Sequence, residues 1–368
     1  MSRTLRYGLI GCGMMGREHI ENLKLIPGSQ VAAIADPDSG QQALNAAAVP
    51  EAELLADHRQ LIARDDLDVL LIASPNHTHI DVLRDVLQGP PRPLLIEKPV
   101  VTTEADGRWL AEAARGWRAP IWVAMEYRFM PPVAELRRVL SAGAAGTLRM
   151  LSIREHRYPF LQKVDNWNRF ASNTGGTLVE KCCHFFDLMR LFLEDEPVRV
   201  YASGASVVNH LEERYDGRTP DMIDSAYALV DFAGGARAML ELCMFAEGAT
   251  FQEEITATGD AGRAACYVPG PARLWADGRA PEAEIEICPR SPKKPERRIV
   301  ALDEAVLAAG EHHGGTYFQH LKFRQAVLEG AIPEVTLADG IKAVMMGAAA
   351  ERSVREGRPV ELSFKGIF

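Results

Sequence analysis

A glycine-rich turn near the start of the chain, Gly11-Cys12-Gly13-Met14-Met15-Gly16, constrains the fold more than any other feature. It stands between a short apolar run, Leu5–Ile10, and a helical stretch from about Arg17 to Ile26 that stops at Pro27-Gly28. A Gly-x-Gly-x-x-Gly alone says little. Placed after a strand and opening a helix, it marks a βαβ unit that holds a dinucleotide. Gly11 permits the tight turn, Gly13 lets the backbone approach a pyrophosphate, and Gly16 lets helix and strand pack closely. Cys12, Met14 and Met15 complete that cradle, and free N–H groups at the helix start receive phosphate oxygens. Asp36 closes the second strand about 20 residues further on, where a carboxylate accepts from the adenosine ribose hydroxyls. Its charge repels a 2′-phosphate, and no arginine follows in Pro37-Asp38-Ser39-Gly40. The expected cofactor is therefore NAD rather than NADP.

The first third continues the pattern. Strand-like runs at Val31–Ala35, Asp68–Ala73, Leu94–Ile96 and Ile121–Ala124 alternate with helical stretches at Ser39–Ala47, Asp57–Arg64, His79–Gln88 and Thr103–Arg115. Near-continuous apolar strands separated by helices imply a parallel sheet covered on both faces, hence a doubly wound Rossmann domain. After Tyr127 the pattern changes. A helix is expected over Pro131–Leu140, then strands over Thr147–His156, Val198–Val208, Ser225–Phe232, Ala236–Phe245 and Thr250–Thr258. Helices are fewer: Gly176–Leu193, Thr316–Leu328 and Ala338–Arg355. Strands in runs with helices set apart indicate an α+β domain on an open, mostly antiparallel sheet. The expected division is 1–127 for the NAD-binding domain and 128–368 for a substrate-binding and oligomerisation domain. The stretch 259–294 resists assignment.

A length of 368 residues suits two domains, and 47% apolar with 25% charged residues supplies a core without disulfides. The net charge of −9 argues against nucleic acid or an anionic membrane as partner. No apolar run approaches the roughly 18 residues that span a bilayer. The N-terminus lacks a cleavable leader pattern, and six cysteines without a Cys-x-x-Cys pair read as reduced thiols, so a cytoplasmic location is expected.

Two further loops carry chemistry. Ser74-Pro75-Asn76-His77-Thr78-His79 follows the third strand, at the carboxyl end where ligands bind in such sheets. Asn76 and His77 sit where they can touch ribose or nicotinamide, while packing suffices to explain His79. Leu94-Leu95-Ile96-Glu97-Lys98-Pro99 ends the fourth strand. Together, Gly-x-Gly-x-x-Gly, Pro-Asn-x-x-His and Glu-Lys-Pro resemble the Gfo/Idh/MocA oxidoreductases, which include glucose–fructose oxidoreductase, inositol dehydrogenases and many sugar dehydrogenases. The resemblance continues through Arg128-Phe129-Met130-Pro131, Gly143-Ala144-Ala145-Gly146 and Gly175-Gly176-Thr177-Leu178 to the tail Arg355-Glu356-Gly357-Arg358-Pro359-Val360. It covers essentially the whole chain and names the family, not the substrate.

Lys98 places an ammonium at the mouth of the cofactor crevice, where it can hold a substrate hydroxyl and stabilise a developing alkoxide. Glu97 either orients it or points away. Further on, Glu180 and His184 lie four apart on an expected helix, about 6 Å apart along its axis. A carboxylate beside an imidazole orients it and raises its basicity, which makes His184 a credible general base. The resemblance implies an Asp-x-x-x-His pair here, with Glu180 replacing the aspartate. Asp187, one turn beyond His184, is the alternative orienting partner.

Substrate-side candidates are Lys98, Tyr127, Arg128, Arg154, His156, Tyr158, Trp167, His184 and Tyr317, with Arg157, Lys163, Asn168, His312 and His313 nearby in sequence. The cation-dense run Arg154-Glu155-His156-Arg157-Tyr158 suits either an anionic sugar or a charged edge strand. Cys182, Cys183, His184 and His312-His313 fit no metal-ligand spacing. The leading expectation is hydride transfer from a hydroxyl-bearing carbon of a sugar, sugar acid or inositol to NAD. The alternatives are a redox glycosidase that transiently oxidises a ring hydroxyl and cleaves by elimination, and a non-catalytic NAD-binding regulator. The resemblance implies a homodimer or homotetramer built through the open sheet.

Overall fold

The computed structural model describes residues 3–367. The first domain is a six-stranded sheet of β1 (Leu5–Ile10), β2 (Ser29–Ala35), β3 (Glu53–Leu55), β4 (Val69–Ile72), β5 (Leu94–Ile96) and β6 (Ile121–Val123). Its order is β3-β2-β1-β4-β5-β6 and its pairings are parallel. The order reverses beside β1, so the crevice opens at the carboxyl ends of β1 and β4. β4 and β5 are buried throughout, as strands covered on both faces must be. Three-residue β3 lacks a sequence signal because it is an exposed edge.

The second domain carries a nine-stranded mixed sheet: β7 (Leu148–His156), β8 (Pro197–Ala205), β9 (Ser225–Phe232), β10 (Arg237–Cys243), β11 (Glu253–Gly259), β12 (Gly262–Val268), β13 (Ala283–Pro289), β14 (Glu296–Val300) and β15 (Val360–Glu361). The order is β14-β13-β12-β11-β7-β10-β9-β8-β15. Among the described strands of this second sheet, only the central β7–β10 pair is parallel. The unassigned stretch 259–294 supplies β12 and β13. Burial alternates along β9 and β10, so one face packs on helices while the other stays open.

The expected helix Gly176–Leu193 is two pieces, Thr177–Glu180 and Cys183–Leu193, broken at Lys181-Cys182. The long helix Leu337–Glu356 joins the two cores. Ile341, Val344 and Met345 pack with the first sheet, Met346, Ala349 and Ala350 with the second. This brings the broken helix against the mouth of the first sheet.

Candidate active site

A cleft of about 1150 Å³ runs along the carboxyl ends of β1, β2, β4 and β5 and is closed on its far side by Lys163, Trp167 and Glu180 of the second domain. Gly11, Gly13, Met14, Met15, Asp36, Ser74, Pro75, Asn76, His77, Glu97 and Lys98 all line it. Gly11 has φ +87° and its Cα lies so near Ser74 that a Cβ would sit 2.5 Å from that residue's backbone. At Gly13, by contrast, a Cβ would meet nothing within 4 Å. A side chain there would occupy the space the helix N-terminus offers to phosphate, so the loop fits a dinucleotide. Cys12 contributes only backbone. Its side chain is buried, and its N–H donates to Asp36 Oδ2 at 2.8 Å. With the Asp38 N–H on Oδ1 at 2.9 Å, this fixes the Asp36 carboxylate at the cleft.

His79 is buried and its ring nitrogens lie 2.9 Å from the Ser74 and Pro99 carbonyls, tying the two loops together. Glu97 turns inward to His19 Nε2 at 2.8 Å, and Nδ1 of the same ring lies 2.9 Å from His320 Nε2. Burial opposes ionisation of Glu97, but His19 and Lys98 outweigh it and hold its pKa down. Lys98 Nζ donates to the Glu180 carbonyl at 3.2 Å, an acceptor freed by the helix break. Burial opposes its charge too. Glu180, Glu126 and Glu97 outweigh that, and the Lys98 pKa rises above the ordinary lysine value. Lys98 is therefore a standing ammonium, a donor rather than a base.

The Glu180–His184 pair expected from their spacing does not form. The break at Lys181-Cys182 removes the i,i+4 register. The Glu180 carboxylate instead accepts from Asn76 Nδ2 and lies 3.7 Å from Lys163 Nζ. Asp187 is no substitute, because both its oxygens take the Arg128 guanidinium, at 2.6 and 2.5 Å. His184 stacks on Tyr127, with ring centroids 4.2 Å apart and planes 7° from parallel. Its Nε2 is 3.5 Å from Glu126 Oε1, and neither ring nitrogen is hydrogen-bonded. Burial, then the charges of Lys98, Lys181, His312 and Arg157, push its pKa well below the ordinary histidine value. It is a neutral imidazole, 1% exposed, with both ring nitrogens unpartnered. Behind Tyr127, its hydroxyl donates to Glu253 at 3.0 Å, and Lys181 lies 3.0 Å from Glu155.

The substrate-side candidates divide. Trp167 lines the cleft under Lys163 Nζ, 4.6 Å from its ring, and Tyr127 supports His184. Arg128 points away, locked in its buried pair with Asp187. Arg154 and His156 lie on the open face of β7, since Leu151 and Ile153 take the core side. There Arg154 pairs with Glu254, and His156 with Glu241 at 2.9 Å. Tyr158 lies between Arg157 and Arg273 and donates to Glu311 at 3.1 Å. Tyr317 packs against Phe318, and the residue of its turn that reaches the site is His312. Glu126, Lys181 and Glu155 were missed. Glu126 carried a usable signal: it follows β6 at the carboxyl end of a parallel sheet, where ligand-facing groups collect.

Among the described residues, no helix is long and apolar enough to cross a membrane. Comparison with known proteins accounts for both domains. Residues 5–125 match the NAD-binding Rossmann fold of an oxidoreductase family, and residues 137–362 its C-terminal alpha/beta domain. An uncharacterised oxidoreductase, YrbE, of Bacillus subtilis is 25% identical over 364 residues, covering 98% of each chain. The myo-inositol 2-dehydrogenase of Thermotoga maritima is 24% identical over 359 residues, 97% of this chain and 98% of that one. A levoglucosan dehydrogenase solved with NADH and levoglucosan superposes with a TM-score of 0.81 at 20% identity, over 98% of this chain and 99% of that one, a likeness of fold. The glycine cradle, the fixed Asp36 and the two matched domains make this chain an NAD-binding oxidoreductase of the Gfo/Idh/MocA family.

Proposed function

We propose that the chain oxidises a hydroxyl-bearing carbon of a neutral sugar or inositol, with bound NAD supplying the hydride acceptor. Gly11, Gly13 and Asp36 hold the cofactor, and Asn76 and His77 border its far end. Lys98 donates to the substrate oxygen and stabilises the alkoxide. His184 accepts the hydroxyl proton. The observation that carries this reading is a standing ammonium, Lys98, in the cofactor cleft, with a buried neutral imidazole, His184, that feels its charge and has both nitrogens unpartnered. The name of the Thermotoga maritima relative supports a polyol substrate. An anionic substrate has less support, because Arg154 and His156 are paired with glutamates on the other face of the sheet.

The open face of that sheet exposes Met150, Tyr201, Tyr227 and Leu229, an apolar patch suited to a second copy of the chain. We place the protein in the cytoplasm on its six unpaired thiols. The test is NADH formation from NAD with a panel of inositols, aldoses, uronates and glycosides. Steady NADH formation with a free polyol supports the reading. Aglycone release without net NADH would replace it with redox-assisted glycoside cleavage, and NAD binding without turnover with a regulator.

A further inference from the structure

The carboxylate nearest His184 is Glu126, and the reaction as described leaves it unused. Glu126 sits in the turn after β6 and is 1% exposed. Both of its oxygens lack a hydrogen-bond partner, as do both nitrogens of His184. Its Oε1 lies 3.5 Å from His184 Nε2 on one side and 3.6 Å from His312 Nε2 on the other. His312 Nδ1 is in turn 2.7 Å from Glu18 Oε1. Glu18 belongs to the helix Met14–Lys24 that opens the cofactor cleft, and it also accepts from Thr316 Oγ1 at 2.8 Å. Side-chain exposure runs 0% at His184, 1% at Glu126, 19% at His312 and 10% at Glu18. The row starts in the dry interior and ends near the surface.

We propose that Glu126 is the proton acceptor behind His184, and that the Glu18–His312 pair sets its acidity from outside. The inference rests on the oxidoreductase reading above. As substrate is oxidised its O–H bond breaks and an N–H bond forms at His184 Nδ1. The Nε2–H bond of the same ring breaks and an O–H bond forms on Glu126. As product departs, the Nδ1 proton passes to water and the Glu126 proton returns to Nε2, which restores the starting state. The field around His184 requires such a partner. Burial and four cations, Lys98, Lys181, His312 and Arg157, all oppose a second proton on that ring. Glu126 can hold it. Burial, with Glu97 beside it, pushes its pKa up to about 7 against the pull of His312 and Lys98. His312 stays cationic at neutral pH. Burial and Lys181 oppose that charge, but Glu18 and Glu126 outweigh them and raise it to about 9.

Glu18→Gln keeps the shape of the pair and removes the charge that sustains the His312 cation. In ¹⁵N-histidine spectra of the NAD-loaded protein at about pH 8, His312 should carry protons on both nitrogens in the wild type and on one in Glu18→Gln. With myo-inositol as probe, the acid limb of kcat should move up by about one pH unit in Glu18→Gln. In Glu126→Gln that limb should vanish and kcat fall roughly 10–100-fold, with NAD affinity kept. A His312 that titrates in the ordinary histidine range in both proteins, or an acid limb unchanged in Glu126→Gln, overturns the proposal. If the wild type oxidises none of the polyols the oxidoreductase reading fails, and the role of the row fails with it, whatever the imidazole spectra show. If it oxidises myo-inositol while Glu126→Gln is indistinguishable from it, only the row's role fails.

Discussion

In the proposed reaction Lys98 and His184 divide the work of one proton and one oxygen, and their surroundings decide which does which. Carboxylates hold Lys98 charged, whereas burial among cations keeps His184 neutral. Lys98→Met should lower kcat by roughly 10²–10³ through loss of the donor to the alkoxide, while the dissociation constant for NAD, read by fluorescence titration, stays within a few-fold. His184→Ala should lower kcat by roughly 10²–10⁴ with the same NAD affinity. If His184→Ala kept activity within about threefold, general-base duty would have to move elsewhere. Asp36 is the third such residue. Its carboxylate is fixed by two backbone donors at the cleft. Asp36→Ala should relax the preference for NAD over NADP by about tenfold, measured as a ratio of kcat/KM values. An unchanged ratio would remove Asp36 from cofactor choice.

At the scale of elements, the helix Cys183–Leu193 is pinned by a buried pair. Arg128 from the turn after β6 holds Asp187 on that helix and lies 3.6 Å from Asp339 at the start of Leu337–Glu356. Arg128→Met strands a buried carboxylate and should cost about 3–5 kcal/mol in urea unfolding, far more than an exposed pair such as Arg138–Glu135. The open sheet face makes a second prediction. Tyr227→Glu combined with Leu229→Glu should reduce the mass measured by light scattering, and an unchanged mass would show that this face is not an assembly surface. The parallel sheet and its glycine cradle were legible in the sequence because each glycine answers a separate steric demand. The Glu180–His184 pair was misread because helical spacing holds only within an unbroken helix, and the break at Lys181-Cys182 leaves no mark in composition. Arg128 read as a ligand because its partner Asp187 is distant in sequence. β12 escaped because small residues such as Ala264 and Ala265 dilute its alternation, whereas β13 alternates along Ala283–Ile287 but lies within a stretch rich in Gly, Pro and Ala.

Across the whole molecule, the candidate site is lined by residues of both domains. Glu18 of the first domain holds His312 of the second at 2.7 Å. Glu18 is lowered from 4.5 to about 2, where His312 and other donors outweigh the opposing effect of burial. His312 is raised from 6.5 to about 9 by Glu18, again against burial. The stability that Glu18 contributes is present above pH 4.5 and lost as pH falls through about 2. That of His312 is present below pH 6.5 and lost as pH rises through about 9. The pair therefore stabilises most between those inner limits. Glu18→Gln should lower the melting temperature clearly at about pH 6 and much less at about pH 10, and an equal drop at both would show that the pair's charge contributes nothing.

The most direct test of the central claim follows NADH formation by the purified chain with NAD and myo-inositol, neutral aldoses and their glycosides, with Lys98→Met and His184→Ala run beside the wild type. The expected result is steady NADH formation from a neutral free polyol, lost in both variants while NAD still binds. Wild-type turnover that survives both substitutions, or aglycone release with no net NADH, would contradict it.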